Sequence, residues 1–265
     1  MKKSNYLIKL LKVLIWPIIF MLGTFFINYI FVAIFNHKEQ GSLTDSEFLN
    51  YITTVEYQNK LTDYINSNTL LISIILGLIF IPVFYKLFKK YKQETTFKIN
   101  NIILPIVLGI TISLIYNITL FNLNNLFHFT NMFDESKLPI LVQIISSGII
   151  GPILEELVFR GIVYNKLKEF NKPMTAIILA SVIFALMHFN LINAIYAFGV
   201  SFMFIYLYEK YKDLKMSIIM HMSLNITIIL MFNLITLNYT FFNMYLLVVS
   251  TIVLIIIKKY FINYK

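Results

Sequence analysis

Long apolar runs recur along almost the whole chain, and they constrain the fold more than any other feature. Each run is long enough to cross the ~30 Å hydrocarbon core of a bilayer as a helix. The eight runs lie near 10–35, 70–88, 100–121, 138–164, 173–189, 191–208, 216–237 and 241–257. Only 13% of the residues are charged, against roughly 25% in soluble domains. The sequence therefore predicts an all-α polytopic membrane protein with about eight transmembrane helices. Since no internal repeat or linker interrupts it, we expect 1–265 to form a single membrane domain.

The basic residues predict how the chain is oriented. Nineteen of the 22 Lys and Arg residues lie in alternate connections between the runs, together with the two termini. By the positive-inside rule these connections face the cytoplasm, which predicts an N-in, C-in topology. Because the basic residues are spread between apolar runs rather than gathered on one exposed face, we expect no nucleic-acid partner. A composition rich in Lys, Asn and Ile favours a bacterial plasma membrane.

The only long polar segment, 37–69, is predicted to be an extracytoplasmic loop. Within it, Thr44 and Glu47 have the spacing of a helix capping box. Apolar side chains after this box, among them Phe48 and Leu49, suggest an amphipathic helix lying on the membrane surface. The chain contains no cysteine, which excludes disulfides, thiolate metal sites and a cysteine nucleophile.

A few strongly polar side chains lie inside the predicted spans, where a charge costs about 2.5–3.5 kcal/mol on insertion scales. They are Glu155, Glu156 and Arg160 in the fourth run, His188 in the fifth, and His221 with Asn225 in the seventh. A rise of ~1.5 Å per residue puts the acidic pair, the histidines and the amide roughly 9–22 Å from the predicted cytoplasmic ends. We therefore expect them to line one cavity that opens to the cytoplasmic side.

Helical spacing separates the roles of the two glutamates. Glu156 and Arg160 are i, i+4 neighbours, and this predicts a structural ion pair. Glu155 is rotated by about 100° around the helix, so it is free to act as a base or as a metal ligand. Gly151 and Pro152, one turn earlier, predict a kink that opens the backbone near the site.

The two histidines each have a neighbour at the same helical spacing. His221 and Asn225 share one helix face, and Phe184 can pack beneath the ring of His188. A carboxylate and an imidazole can activate water directly or through a bound metal ion. A second imidazole and an amide can stabilise an oxyanion. These groups suffice for hydrolysis of an amide bond, although buried Glu and His also form proton relays in ion-coupled transporters.

The same residues resemble three motifs of one family. The run 155–160, EELVFR, resembles the EExxxR motif of the CPBP family, which comprises the CAAX proteases and bacteriocin-processing enzymes and is also called ABI. The run 184–188, FALMH, resembles its FxxxH motif, and 221–225, HMSLN, resembles its HxxxN motif. The motifs occur in family order on separate spans, so 150–226 is expected to carry the protease core.

The resemblance implies an intramembrane endopeptidase that cuts a membrane-associated peptide or protein. It implies that Glu155 and His188 activate the attacking water, and that His221 and Asn225 bind the oxyanion. Glu156, Arg160 and Phe184 would support the site. A divalent metal, with zinc as the default, is a further expectation, held by Glu155, His188 and His221.

Family roles include peptide maturation, peptide signalling and bacteriocin self-immunity. One alternative is a membrane immunity or regulatory protein that keeps the site without proteolysis.

The ion-coupled transporter is disfavoured because the polar residues occupy only the second half of the chain, whereas transporters usually show paired repeats. A serine protease of the rhomboid type is also disfavoured. Ser201 follows Gly199-Val200 as in that motif, but Phe202 stands where a glycine should follow.

Overall fold

Helices account for all the regular secondary structure in the part of the chain that the structure describes. This computed structural model describes 3–96, 98–127, 138–188 and 190–234, together with 248, 250, 251, 253 and 255. The helices are α1 (Lys3–Gln40), α2 (Asp45–Tyr51), α3 (Val55–Phe88), α4 (Ile103–Phe127), α5 (Ile140–Lys168), α6 (Pro173–Leu186), α7 (Leu191–Tyr211) and α8 (Leu214–Leu234). The predicted all-α polytopic class is confirmed.

Six of these helices are long and apolar enough to cross a membrane: α1, α3, α4, α5, α7 and α8. The predicted fifth span differs, because α6 has only 14 residues and is about 21 Å long. Helix α6 ends at Leu186, so His188 lies beyond the helix rather than inside a span. The predicted eighth span, 241–257, falls outside the described residues except for five isolated positions.

The segment predicted to be a loop at 37–69 is mostly helical. Helix α1 continues to Gln40, α2 covers Asp45–Tyr51, and α3 begins at Val55. The capping box is present at the start of α2, where the Thr44 side chain accepts from the backbone N–H of Glu47. The Glu47 carboxylate accepts from the backbone N–H of Thr44 at 2.8 Å. The two long helices are therefore joined by a short capped helix.

Helix α5 is the centre of the bundle. Every side chain from Leu157 to Tyr164 is buried, and α1, α3, α6, α7 and α8 all contact this helix. By contrast, α1 exposes large apolar side chains such as Leu22, Phe25 and Phe26. Because apolar side chains facing lipid carry no penalty, the bundle keeps its polar groups at the centre.

Two π-helical stretches interrupt α5, at Ile144–Ile150 and Leu157–Tyr164, and Gly151–Glu156 between them is α-helical. Such wide turns are rare and often occur at functional sites. The first stretch has a cause in the sequence, because Pro152 has no backbone N–H to donate. The N–H of Gly151 bonds to the carbonyl of Ser146, five residues earlier. The kink expected at Gly151-Pro152 therefore takes the form of a widened turn just before the two glutamates.

Candidate active site

The predicted ion pair between Glu156 and Arg160 is present and lies in the most buried part of the bundle. Arg160 Nη1 is 2.8 Å from Glu156 Oε1, and the two side chains are 1% and 0% exposed. The other carboxylate oxygen of Glu156 has no hydrogen-bond partner among the described residues. Each of these two buried charges is stabilised by the other, because removing one would leave the second buried without a partner of opposite charge.

Arg160 is held by more than its carboxylate. Its Nη2 donates to the hydroxyl of Ser201 on α7 at 2.9 Å. Its guanidinium carbon lies 4.1 Å from the ring centroid of Phe184 and 4.7 Å from that of Phe204. Planar guanidinium groups stack well on aromatic faces. Ser201 therefore serves as an acceptor for Arg160, and its buried hydroxyl is not placed as a free nucleophile.

His221 joins α8 to both glutamates. Its Nδ1 is 2.9 Å from Glu156 Oε1, and its Nε2 is 3.8 Å from Glu155 Oε2. The ring stacks on Phe204, with centroids 4.6 Å apart and planes inclined by 24°. Since Glu156 Oε1 is an acceptor, Nδ1 must carry a proton, and Nε2 is the nitrogen directed to Glu155.

His188 is oriented by the end of α6. Its Nδ1 lies 3.1 Å from the backbone carbonyl of Phe184, and its ring makes a T-shaped contact with the Phe184 ring, with centroids 4.8 Å apart. The predicted packing of Phe184 beneath His188 is therefore present. A carbonyl can only accept, so the proton of a neutral His188 sits on Nδ1 and the lone pair sits on Nε2. This is the form in which an imidazole can take a proton from water.

Asn225 bonds to the widened turn of α5. Its amide nitrogen donates to the carbonyl of Ser147 at 2.9 Å. In a regular helix this carbonyl would accept from the N–H of Gly151, which instead bonds to Ser146. The next N–H along the chain is missing because residue 152 is proline. Asn225 thus satisfies a carbonyl that the helix leaves open, and its second amide hydrogen stays available.

One cavity of about 430 Å³ brings the four predicted catalytic side chains together: Glu155, His188, His221 and Asn225 all line it. Glu155 is 30% exposed, whereas Glu156 is fully buried behind it. The two adjacent glutamates therefore differ in access, as the spacing predicts. The cavity lies within the volume range of small-molecule and substrate sites.

The position of this cavity departs from the expected cytoplasmic opening. Its walls include Asn190 and Asn193 at the start of α7, and Ile228 and Phe232 near the end of α8. In the predicted N-in orientation, α7 begins and α8 ends on the outer side. The cavity therefore extends toward the outer face in that orientation. A cytoplasmic opening and the predicted topology do not fit together in this structure.

The expected metal ligands do not form a metal site as they stand. Among the described residues, no three His, Asp or Glu side chains are grouped so that they could hold a metal ion. His221 directs Nδ1 to Glu156 Oε1 at 2.9 Å, and its Nε2 lies 3.8 Å from Glu155 Oε2, too far for a hydrogen bond. The divalent metal therefore stays a prediction.

Two residues that support the site were not predicted for that role: Ser201 and Phe204, three positions apart on one face of α7. A small hydroxyl and an aromatic ring in an apolar run are ordinary packing residues by themselves. The sequence feature that could have pointed to them was the number of hydrogen-bond donors on Arg160. A guanidinium has five donors, and one carboxylate cannot accept them all.

Comparisons with known proteins find relatives for one segment of the chain. Residues 137–227 match the family model of type II CAAX prenyl endopeptidase Rce1-like proteins. Ninety residues are 34% identical to a Bacillus subtilis (strain 168) protein named "Putative membrane peptidase YdiL". The match covers 34% of this chain and 37% of the relative. No solved structure matches the chain significantly. The segment that matches the family model contains all four cavity residues and both members of the buried ion pair.

Proposed function

We propose that this protein is an intramembrane endopeptidase that hydrolyses a peptide bond of a membrane-associated peptide or protein. The observation that carries the proposal is the shared cavity of Glu155, His188, His221 and Asn225. The match of 137–227 to the CAAX prenyl endopeptidase family model supports the same activity class. Peptide maturation, peptide signalling or bacteriocin self-immunity in a bacterial plasma membrane is the biological role we propose.

His188 and Glu155 would activate the water. His188 presents the unprotonated Nε2, because Nδ1 is engaged with the Phe184 carbonyl. As the water oxygen bonds to the substrate carbonyl carbon, its proton passes to this base. When the carbon–nitrogen bond breaks, the same proton passes to the leaving amine. The products are a carboxylic acid and an amine, and the base returns to its starting form.

His221 and Asn225 would stabilise the oxyanion. Asn225 retains one amide hydrogen after donating to Ser147. His221 donates from Nε2 only in its cationic form, because Nδ1–H is committed to Glu156. Donors fixed in advance in a site of low dielectric are effective at this task.

The test compares cleaved peptides in membranes and culture medium from cells with the wild-type protein and with Glu155→Gln or His188→Gln. Each variant is expected to lose cleavage by about 10²–10⁴-fold, the typical contribution of general acid–base catalysis. Glu94→Gln, at an exposed position between α3 and α4, is the matched control and should cleave normally. Normal cleavage by both site variants, at wild-type abundance, would refute the proposal.

The divalent metal remains a prediction that the same assay can test. Loss of cleavage in EDTA, with recovery when Zn²⁺ is added back, would support a bound ion at Glu155, His188 and His221. Cleavage that EDTA does not change would support direct activation of water by the side chains.

A further inference from the structure

A second group of polar side chains lines the cavity, apart from the four proposed catalytic residues. Tyr116 on α4, and Asn193 and Tyr196 on α7, all line the cavity wall. The Tyr116 hydroxyl donates to Asn193 Oδ1 at 2.5 Å. The rings of Tyr116 and Tyr196 are stacked, with centroids 3.8 Å apart and planes inclined by 27°. We call these three residues the polar shelf.

The polar shelf has hydrogen-bonding groups without a partner in the part of the chain that the structure describes. The hydroxyl of Tyr196 is buried and has no hydrogen-bond partner among the described residues. The side-chain oxygen of Asn193 accepts from the Tyr116 hydroxyl. The two amide hydrogens of Asn193 are not part of this hydrogen bond. Buried hydroxyls are usually paired, and an unpaired one costs stability. An unpaired hydroxyl in the wall of a candidate active site therefore points to a partner that arrives with the substrate.

The chemistry of an intramembrane substrate supplies such a partner. A peptide bond inside a transmembrane helix is hydrolysed only after its turn is unwound, because the helix shields its backbone. Unwinding leaves backbone carbonyls without donors, and each unsatisfied group in a bilayer costs several kcal/mol. The hydroxyl of Tyr196 and the amide of Asn193 are donors, and carbonyl oxygens are acceptors. The polar shelf therefore matches unwound backbone better than it matches an apolar side chain.

Distance along α7 places the polar shelf relative to the reacting bond. Phe204 stacks on His221, and Tyr196 lies eight residues earlier on the same helix. At ~1.5 Å per residue this is about 12 Å along the axis. An extended peptide covers that distance in about three to four residues. Val200, halfway between them, also lines the cavity, so the wall is continuous from the polar shelf to His221.

We propose that the polar shelf of Tyr116, Asn193 and Tyr196 is a substrate-binding subsite that hydrogen-bonds an unwound backbone carbonyl within about four residues of the cleaved bond. This inference rests on the proposed protease function. It makes Tyr196 a binding residue rather than a catalytic one. Removing its hydroxyl should weaken the ground state and the transition state equally, which raises KM and leaves kcat unchanged.

The experiment uses the full-length protein in detergent and a fluorescent peptide that spans the cleavage site found in the comparison of wild-type and Glu155→Gln cells. Tyr196→Phe should raise KM about three- to tenfold, as expected for one neutral hydrogen bond. It should not lower Tm, because the lost hydroxyl bonds to none of the residues that the structure describes. Tyr206→Phe, on α7 but outside the cavity, is the control and should leave KM unchanged.

A second set of peptides tests whether the hydrogen bond reaches the backbone. In each peptide, one amide within four residues of the cleaved bond is replaced by an ester, whose carbonyl is a weaker acceptor. One peptide of the set should bind the wild-type protein severalfold more weakly than the all-amide peptide does. The same peptide and the all-amide peptide should bind Tyr196→Phe equally well. Binding is measured on the Glu155→Gln background, so that it does not depend on turnover.

The outcomes separate the two proposals. If the wild type cleaves the peptide but Tyr196→Phe has an unchanged KM, the subsite is wrong and the protease function stands. A lower Tm for Tyr196→Phe, or equal ester penalties in both proteins, also contradicts the subsite. If wild-type and Glu155→Gln cells yield the same cleaved peptides, the protease function is refuted. The subsite proposal is then refuted with it.

Discussion

Replacing Arg160 with methionine tests whether the buried pair supports the fold, and its cost can be worked out from the structure. The substitution removes the 2.8 Å contact to Glu156 and the hydrogen bond to Ser201. It leaves Glu156 fully buried, with His221 as its remaining donor. Breaking a buried pair from one side costs about 3–5 kcal/mol. For a chain of this size, such a loss corresponds to a Tm lower by roughly 6–20 °C.

The assay is thermal unfolding in detergent, followed by intrinsic fluorescence, with Lys168→Met as the control. Lys168 pairs with Glu209 at 2.5 Å, but both side chains are more than a quarter exposed. A pair of this kind is worth about 0–1 kcal/mol, so the control should barely change Tm. Arg160→Met with a Tm like that of the control would refute the structural assignment.

A double variant separates the effect of charge from the effect of packing. Glu156→Gln combined with Arg160→Met removes both charges and keeps an oxygen that can accept from His221 Nδ1. We expect it to recover half or more of the Tm lost in Arg160→Met, since no unpaired charge remains buried. Losses that simply add would show that packing against Phe184 and Phe204, rather than charge, accounts for the cost.

Two further predictions concern the widened turn of α5 and the orientation of the chain. Asn225→Leu should cost about 1–3 kcal/mol, because it leaves the Ser147 carbonyl unpaired. Adding Pro152→Ala should recover much of this loss by supplying a backbone N–H, and no recovery would contradict the proposed cause of the widened turn. The absence of cysteine makes single-cysteine labelling simple. With an impermeant maleimide on intact cells, Asp63→Cys should be labelled, and Lys172→Cys should react only after permeabilisation. The reverse pattern would overturn the N-in prediction.

Local spacing predicted the parts of the site that depend on one helix. The Glu156–Arg160 pair and the contact of Phe184 with His188 follow from side chains one turn apart, and the structure contains both. The contact between His221 and Glu156 could not be predicted in the same way, because the residues are 65 positions apart. Spacing within one helix says nothing about the rotation of another helix around its axis.

The end of α6 shows a different limit of sequence reasoning. The apolar run 173–189 is long enough to span a bilayer, yet α6 stops at Leu186. Hydropathy measures how well a segment tolerates lipid, and it does not indicate where the backbone stops being helical. That early end matters for the site, because the turn after α6 holds His188 against the Phe184 carbonyl.

The location of the cavity links the charge pattern to the kind of substrate. The positive-inside rule places the start of α7 and the ends of α4 and α8 on the outer face, and the cavity wall contains Tyr116, Asn190 and Phe232 from those regions. If labelling confirms the N-in orientation, an unwound substrate segment would lie in the outer half of the bilayer. If the orientation is reversed, the same cavity faces the cytoplasm, and nineteen of the 22 basic residues lie against the rule. The labelling result therefore decides from which side a peptide must enter to reach Glu155.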